Sequence, residues 1–273
     1  MKHRILLIIV LLVPSLLRAQ WTDEYGTWVS LGAKKSLTDK WSLGLEAEYR
    51  AQDNSRWAFG LDAGYKLNKT IKLGAGYTLL YNRKSGKQKG DPAVDDSYSI
   101  TPAYCYPRHR FIAEATADKR FWKWLRISLR ERYQLTYRPS NDHNKIEYFR
   151  QPIFDDDWNY IGDEWVEDIE VKSKSSKTSQ LLRSRIKLEV DKKRWKFSPF
   201  ISAEACNSVS VGDHMQIDKV RTAVGTSYKL NKRHEFTLGY ILTFVFNDDD
   251  ELNDKIEFNN RIHALNIGYN FKF

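Results

Sequence analysis

Along most of this chain the apolar residues fall at every second position. In residues 41–50, WSLGLEAEYR, Trp41, Leu43, Leu45, Ala47 and Tyr49 share one face, and Ser42, Gly44, Glu46, Glu48 and Arg50 share the other. The same alternation runs through 57–67, 71–82, 125–138 and 236–247. A period of two belongs to β-strands, whose successive side chains point to opposite faces. A period of 3.6 is nowhere sustained, so helices are not expected. The second face is not merely polar: it carries Gly, Ser, Glu, Asp and Arg. A small soluble barrel puts its bulky residues inside, whereas here the small and charged face is the one suited to an interior. The pattern predicts an all-β fold, an antiparallel transmembrane β-barrel of about twelve strands, within a range of 10–14. Shorter or weaker strands are read near 26–35, 97–106, 109–118, 180–190, 195–206, 219–230 and 260–273.

The two ends of the sequence extend this expectation. In HALNIGYNFKF at 263–273, Leu265, Ile267, Tyr269, Phe271 and Phe273 share one face, which reads as a closing strand. Phe273 is the candidate signal for the barrel-insertion machinery. At the other end Lys2, His3 and Arg4 precede the apolar run Ile5 to Val13, and Ala19 follows a short tail. That is the plan of a secretory signal peptide over 1–19, cleaved near Ala19. The run is too short to cross a bilayer as a helix, which takes about 18 or more apolar residues. The expected mature domain is 20–273, a barrel in the Gram-negative outer membrane and in contact with its lipids. Losing Lys2, Arg4 and Arg18 would take the net charge from +9 to +6.

Trp and Tyr lie toward strand ends, as Trp41 and Tyr49 do. Eight residues at about 3.3 Å each separate that pair by about 26 Å along the strand, near the height of an apolar band flanked by aromatic girdles. The connections SLTDKW, KLNKT and KLNKR look alike and are short. Those at 83–96, 139–178, 207–218 and 247–258 are long, and the largest is read as a loop. Twelve strands would put 83–96 on the short-turn side, against its length. Glu131 interrupts an otherwise apolar face.

Several kinds of chemistry are excluded. No basic run interleaves with aromatics in a nucleic-acid-binding pattern. No glycine-rich phosphate loop, dinucleotide fingerprint or haem-attachment motif occurs, so no cofactor is expected. Cys105 and Cys206 are far apart, and no Cys/His pattern suggests a metal. Asp155–Asp157, or Asp248–Asp250 with Glu251, offer oxygen ligands for calcium without the loop spacing that calcium binding requires. His109, His143, His214, His234 and His263 are scattered, and no nucleophile-elbow motif accompanies them. No catalytic residue is assigned.

Two charge features remain. Arg126, Arg130, Arg132 and Arg138 share the inward face of one strand, and Arg183, Arg185 and Lys187 that of another. If the strands pair, seven cations line one wall. They would act as a selectivity surface for an unidentified small solute, or as structural charges paired with Glu46, Glu48, Asp62, Glu189 and Glu204. The second feature lies in the long loop: Asp155, Asp156, Asp157, Asp163, Glu164, Glu167, Asp168 and Glu170, with Trp158 and Trp165 among them. It is a candidate plug, folding inward to face the cations, or a candidate binding loop.

A family resemblance supports the fold. Trp28-x-x-Leu31, then Leu37-x-x-x-Trp41-x-Leu43-x-x-Glu46-x-x-Tyr49-Arg50, then Leu73-Gly-x-Gly-Tyr77, resemble a group of Gram-negative outer-membrane barrels known only as a domain of unknown function. The run LRISLRERY at 125–133 is similar to that family's Arg-rich strand. The resemblance implies fold and location, and no activity. The sequence therefore leads to a small channel or solute-binding barrel without catalysis. The alternatives are a structural or surface-interaction barrel with a plugged lumen, and a lipid-active enzyme.

Overall fold

The computed structural model describes residues 22–52, 54–122, 124–192, 195–209, 216–246 and 260–273. The expected signal segment, with Ala19, lies outside the described residues. So do Asp248–Asp250, Glu251 and His214. The described chain is all β: β1 (Thr22–Ser36), β2 (Trp41–Ala51), β3 (Arg56–Lys66), β4 (Ile71–Lys84), β5 (Lys87–Lys89), β6 (Ser97–Thr101), β7 (Tyr104–Phe121), β8 (Leu125–Arg138), β9 (Asn141–Phe154), β10 (Tyr160–Lys174), β11 (Lys177–Val190), β12 (Phe197–Ser208), β13 (Gln216–Lys229), β14 (His234–Val245) and β15 (Asn260–Lys272).

Eleven of these strands close a barrel in the order β1-β15-β14-β13-β12-β11-β8-β7-β4-β3-β2, and β2 pairs with β1. The expected twelve becomes eleven because 97–106 and 109–118 are not two strands crossing in opposite directions. They lie along β6 and β7, which descend together as one path. Pro107 stands where β7 pairs with β4 but has not yet met β8, whose pairing begins at His109. An open edge tolerates a residue without an N–H, so the strand passes through it. This puts 83–96 at the same end as the other long connections. An odd strand number also changes the closure. The seam between β1 and β15 is parallel, with Val29 opposite Ile267, while all other neighbours are antiparallel.

The short turns share one device. Thr38 Oγ1 accepts the N–H of Trp41 at 3.0 Å. Asn68 Oδ1 accepts those of Thr70 and Ile71 at 2.8 and 2.7 Å, and Asn231 Oδ1 those of Arg233 and His234 at 2.8 and 2.9 Å. A short polar side chain thus replaces backbone partners as the chain reverses. This is why the three connections look alike.

The remaining strands, β5, β6, β9 and β10, form a second sheet in the order β10-β9-β6-β5. The segment 139–178, read from sequence as a loop, is thus a β-hairpin. It prolongs β8 and β11 in unbroken register, from Arg138 opposite Lys177 to Asn141 opposite Lys174. The β5–β6 pair prolongs β4 and β7 likewise, and β6 pairs with β9 through Ile100 and Ile146. One sector of the barrel wall therefore rises beyond the rim.

The faces follow the alternation. Leu31, Leu45, Leu61, Phe111, Leu129, Ile201, Val224, Leu238 and Leu265 point outward and are roughly half exposed. Aromatic pairs border this band: Trp41 with Tyr65, Phe197 with Tyr228 and Phe236 with Tyr269 near the short turns, and Tyr49 with Trp57 near the rim. Phe273 follows β15 with its ring against Phe271, and its N–H donates to the Lys34 carbonyl at 2.9 Å. Glu131 does lie on the outer face, where it accepts a hydrogen bond from Ser184 on the neighbouring strand at 2.7 Å. The small apolar core is inside, where Trp28, Ile241 and Ala264 pack with Ala223.

Candidate functional site

The interior is charged by construction, because every second residue of each wall strand must point into it. The strands β8 and β11 are neighbours, and Arg132 stands opposite Arg183 and Arg130 opposite Arg185. Like charges directly opposite repel, so such a wall needs counter-charges from other strands. Glu204 on β12 supplies the main one and is almost fully buried. Its Oε1 accepts from Arg183 and, at 3.2 Å, from Arg221 on β13; its Oε2 accepts from Arg130 at 2.8 Å. Glu114 on β7 takes Arg132 at 2.8 Å, and Glu189 takes Lys187 at 2.6 Å. On the other side Glu48 takes Arg50 at 2.7 Å and Arg56 at 3.0 Å.

These residues surround an interior cavity of about 490 Å³. Nine cations and four carboxylates line it: Arg50, Arg56, Arg110, Arg130, Arg132, Arg183, Arg185, Lys187 and Arg221 against Glu46, Glu48, Glu204 and Glu235. Two of the cations, Arg110 and Arg185, have no ion pair among the described residues. Two guanidiniums lie over the Trp28 ring, Arg50 at 3.6 Å and Arg221 at 5.0 Å from its centre, and the indole N–H donates to Gln52 at 3.1 Å. Cation–π contact holds such side chains in a fixed place. A second cavity of about 530 Å³ adjoins toward the short turns and shares Glu46, Gly60, Thr78, Ile112 and Arg132 with the first. Its charges are nearly balanced, with Lys34, Lys40, Lys66, Lys72 and Arg132 facing Asp39, Glu46, Asp62, Glu114 and Asp118.

Five of the seven cations singled out from sequence thus meet in one cavity: Arg130, Arg132, Arg183, Arg185 and Lys187. Arg126 and Arg138 lie at opposite ends of β8, and Arg138 donates to the Ser175 carbonyl at the rim at 2.7 Å. Of the expected counter-charges, Glu48, Glu189 and Glu204 are ion-paired. Sequence reading missed Arg56, Arg110, Arg221 and Glu114 as partners, and gave Trp28 no inward role. Each sits on a strand whose alternation is weaker, or at a strand end.

The acidic segment is placed elsewhere. Asp155 to Glu170 lie at the far part of the β9–β10 hairpin, none of them lines either cavity, and none pairs with a lumen cation. The plug expectation is corrected on this point. Cross-strand pairing with β9, and of β9 with β6, keeps the segment in the raised sheet and out of the bore. The carboxylate of Asp155 closes the hairpin tip, accepting the N–H of Asp157 at 2.9 Å and of Asn159 at 2.8 Å, with Asn159 Nδ2 at 3.1 Å. These hydrogen bonds from Asn159 hold the Asp155 carboxyl below the usual aspartate range. Trp158 within the tip has φ of 62° and is largely exposed. Trp165 packs edge-on to Tyr98 and under Arg150, and Tyr98 stacks on Tyr148.

Three histidines of the barrel wall pair with tyrosines, and His143 in the raised hairpin stacks on Tyr104. His109 meets Tyr77, His234 meets Tyr269, and His263 meets Tyr240, each through Nδ1 to the phenol. The other ring nitrogen of His263 lies 3.4 Å from Asp23, which Arg261 binds through two contacts. Neither partner of His263 is a serine or cysteine, so the group lacks the nucleophile of an acyl-transfer triad.

Eleven strands around an arginine-rich interior, with an apolar outer face, define a closed β-barrel with an inside-out distribution of charge. The chain belongs to the family described as "Protein of unknown function (DUF2490)", whose pattern matches residues 25–254. A comparison with curated proteins found no match.

Proposed function

We propose that this protein is an outer-membrane barrel whose interior takes up small anionic solutes and performs no catalysis. The reading rests on one observation: nine cations and four carboxylates line one cavity, and after Glu114 and Glu189 take Arg132 and Lys187, Arg110 and Arg185 still have no ion pair among the described residues. Buried guanidiniums are costly without a counter-charge, and a mobile anion supplies one. Rings of like charge set the preference of a pore. The membrane location is supported by the outward apolar band and its aromatic borders, since a contiguous apolar exterior of this extent is unfavourable in water. Phe273 at the end of the closing strand fits recognition by the barrel-insertion machinery.

The test is the reversal potential of the purified barrel in a planar bilayer under a potassium chloride gradient. The expected result is a preference for chloride, weakened by Arg185→Glu. A preference for potassium sinks the reading.

A second reading is favoured by the raised sheet, which carries Tyr98, Tyr148, Trp165, Ile146 and Ile169 on the side continuous with the lumen wall. In this reading the barrel is a platform for a surface interaction. It predicts a barrel that assembles normally and carries no ion current.

A further inference from the structure

We propose that the upper part of the charged cavity is a site for a multiply charged phosphoryl anion, such as a phosphate monoester or a diphosphate, in preference to a monocarboxylate. This rests on the anion-lumen reading and deepens it.

The argument is one of valence and geometry. Arg50 and Arg56 share Glu48, while Arg183 and Arg221 share Glu204 with Arg130 from below. Both oxygens of each carboxylate are already engaged: Glu48 takes three N–H donors and Glu204 four. Arg110 is within ion-pair distance of neither, and among the described residues it has no ion pair. Among the described residues the guanidinium of Arg110 makes one hydrogen bond, from Nε to Thr136 at 3.3 Å, and the residue lines the cavity. Arg50, Arg56 and Arg183 line the same cavity, together with Glu48.

The charge left over is therefore greater than one. Arg50, Arg56, Arg110, Arg130, Arg183 and Arg221 carry six positive charges, and the two carboxylates they share, Glu48 and Glu204, carry two negative ones. A monovalent anion leaves most of that excess in place, whereas a dianion or trianion cancels it. The donors also suit phosphoryl oxygens, because a guanidinium offers paired N–H groups in a fixed fork that matches phosphate. Arg50 and Arg221 both lie over the Trp28 ring, so part of the site is fixed before any ligand enters. Preorganisation of this kind reduces the entropy lost on binding.

Isothermal titration of the full-length detergent-folded barrel with pyrophosphate, and separately with acetate, tests the assignment without requiring an open pore. One pyrophosphate per barrel is expected, bound at least tenfold more tightly than acetate. Arg110→Gln lowers the pyrophosphate affinity tenfold or more. Arg110→Lys, which keeps the charge and loses the fork, falls between. Among the described residues Arg110 holds no carboxylate partner, so its replacement strands none of their charges, and the heat-modifiable band on gels confirms that each variant is folded. Lys72→Gln in the adjoining cavity leaves the affinity within twofold. Equal affinities for pyrophosphate and acetate overturn the proposal. So does an Arg110→Gln barrel that binds as wild type, or a Lys72→Gln barrel weakened as much as Arg110→Gln. The broader reading fails separately: a chloride preference with no pyrophosphate preference defeats only the phosphoryl assignment, and a potassium preference defeats the anion lumen itself.

Discussion

At the residue scale, adjacent positions on one strand live in opposite environments. Leu61 is exposed on the outer band and Asp62 lines the interior. Leu61→Arg should cost about 2–4 kcal/mol if it lies at the bilayer midplane. Asp62→Leu should cost clearly less, because it removes a lumen charge without meeting lipid. An unfolding titration in lipid vesicles compares the two, and equal costs contradict the assigned faces. Glu204 is the opposite case. Glu204→Gln leaves Arg130, Arg183 and Arg221 together without their shared counter-charge, and should destabilise the barrel by about 3 kcal/mol or more by the same measurement. Asp155 reports on pH. Its carboxyl is depressed in the folded hairpin, so its contribution is complete above the unfolded pKa, about 3.9, and disappears as pH falls through the lower folded value. Amide exchange at Asp157 and Asn159 should therefore stay slow at pH 5, relative to the intrinsic rate, and lose its protection only in more acidic solution. Loss of protection already at pH 5 rules out the carboxylate clasp.

At the scale of elements, the raised hairpin makes the clearest prediction. Since residues 155–170 do not enter either cavity, replacing them by a two-residue turn should leave ion current and assembly unchanged. A rise in current on deletion restores the plug. The same hairpin shows what the sequence could and could not reveal. The alternation in 41–50, 57–67 and 125–138 was legible because one face turns outward and is largely apolar while the other lines a charged interior. The strands β9 and β10 stand free on both sides, so nothing forces one face to be apolar, and charges occur on both. They are still strands because those charges pair. Lys145 hydrogen-bonds Glu147 and Lys172 hydrogen-bonds Glu170, which stands opposite Lys145. The pairing with Glu147 holds the Lys145 ammonium above its usual range. The cation wall of β8 and β11 was legible from spacing alone. The arrangement that matters, with Glu204 shared by three arginines from three strands and Arg110 left over, depends on inter-strand register, which a single strand's pattern does not contain.

At the scale of the whole molecule, closure by eleven strands is open to direct test. The parallel seam sets Val29 beside Ile267 on the outer face. In a background with Cys105 and Cys206 replaced by serine, Val29→Cys with Ile267→Cys should cross-link on mild oxidation. Val29→Cys with Ala33→Cys, on one strand, should not. Failure of the first pair in an assembled barrel argues for an extra strand between β1 and β15. The raised sector has a different consequence. Four of the eleven wall strands, β4, β7, β8 and β11, continue past the rim into the second sheet. Fourteen residues of β9 span about 46 Å at about 3.3 Å each. A smooth barrel looks the same from every side around its axis. This one has an azimuth: the tall side presents a sheet to a neighbour, so each copy carries a compass bearing about its own axis.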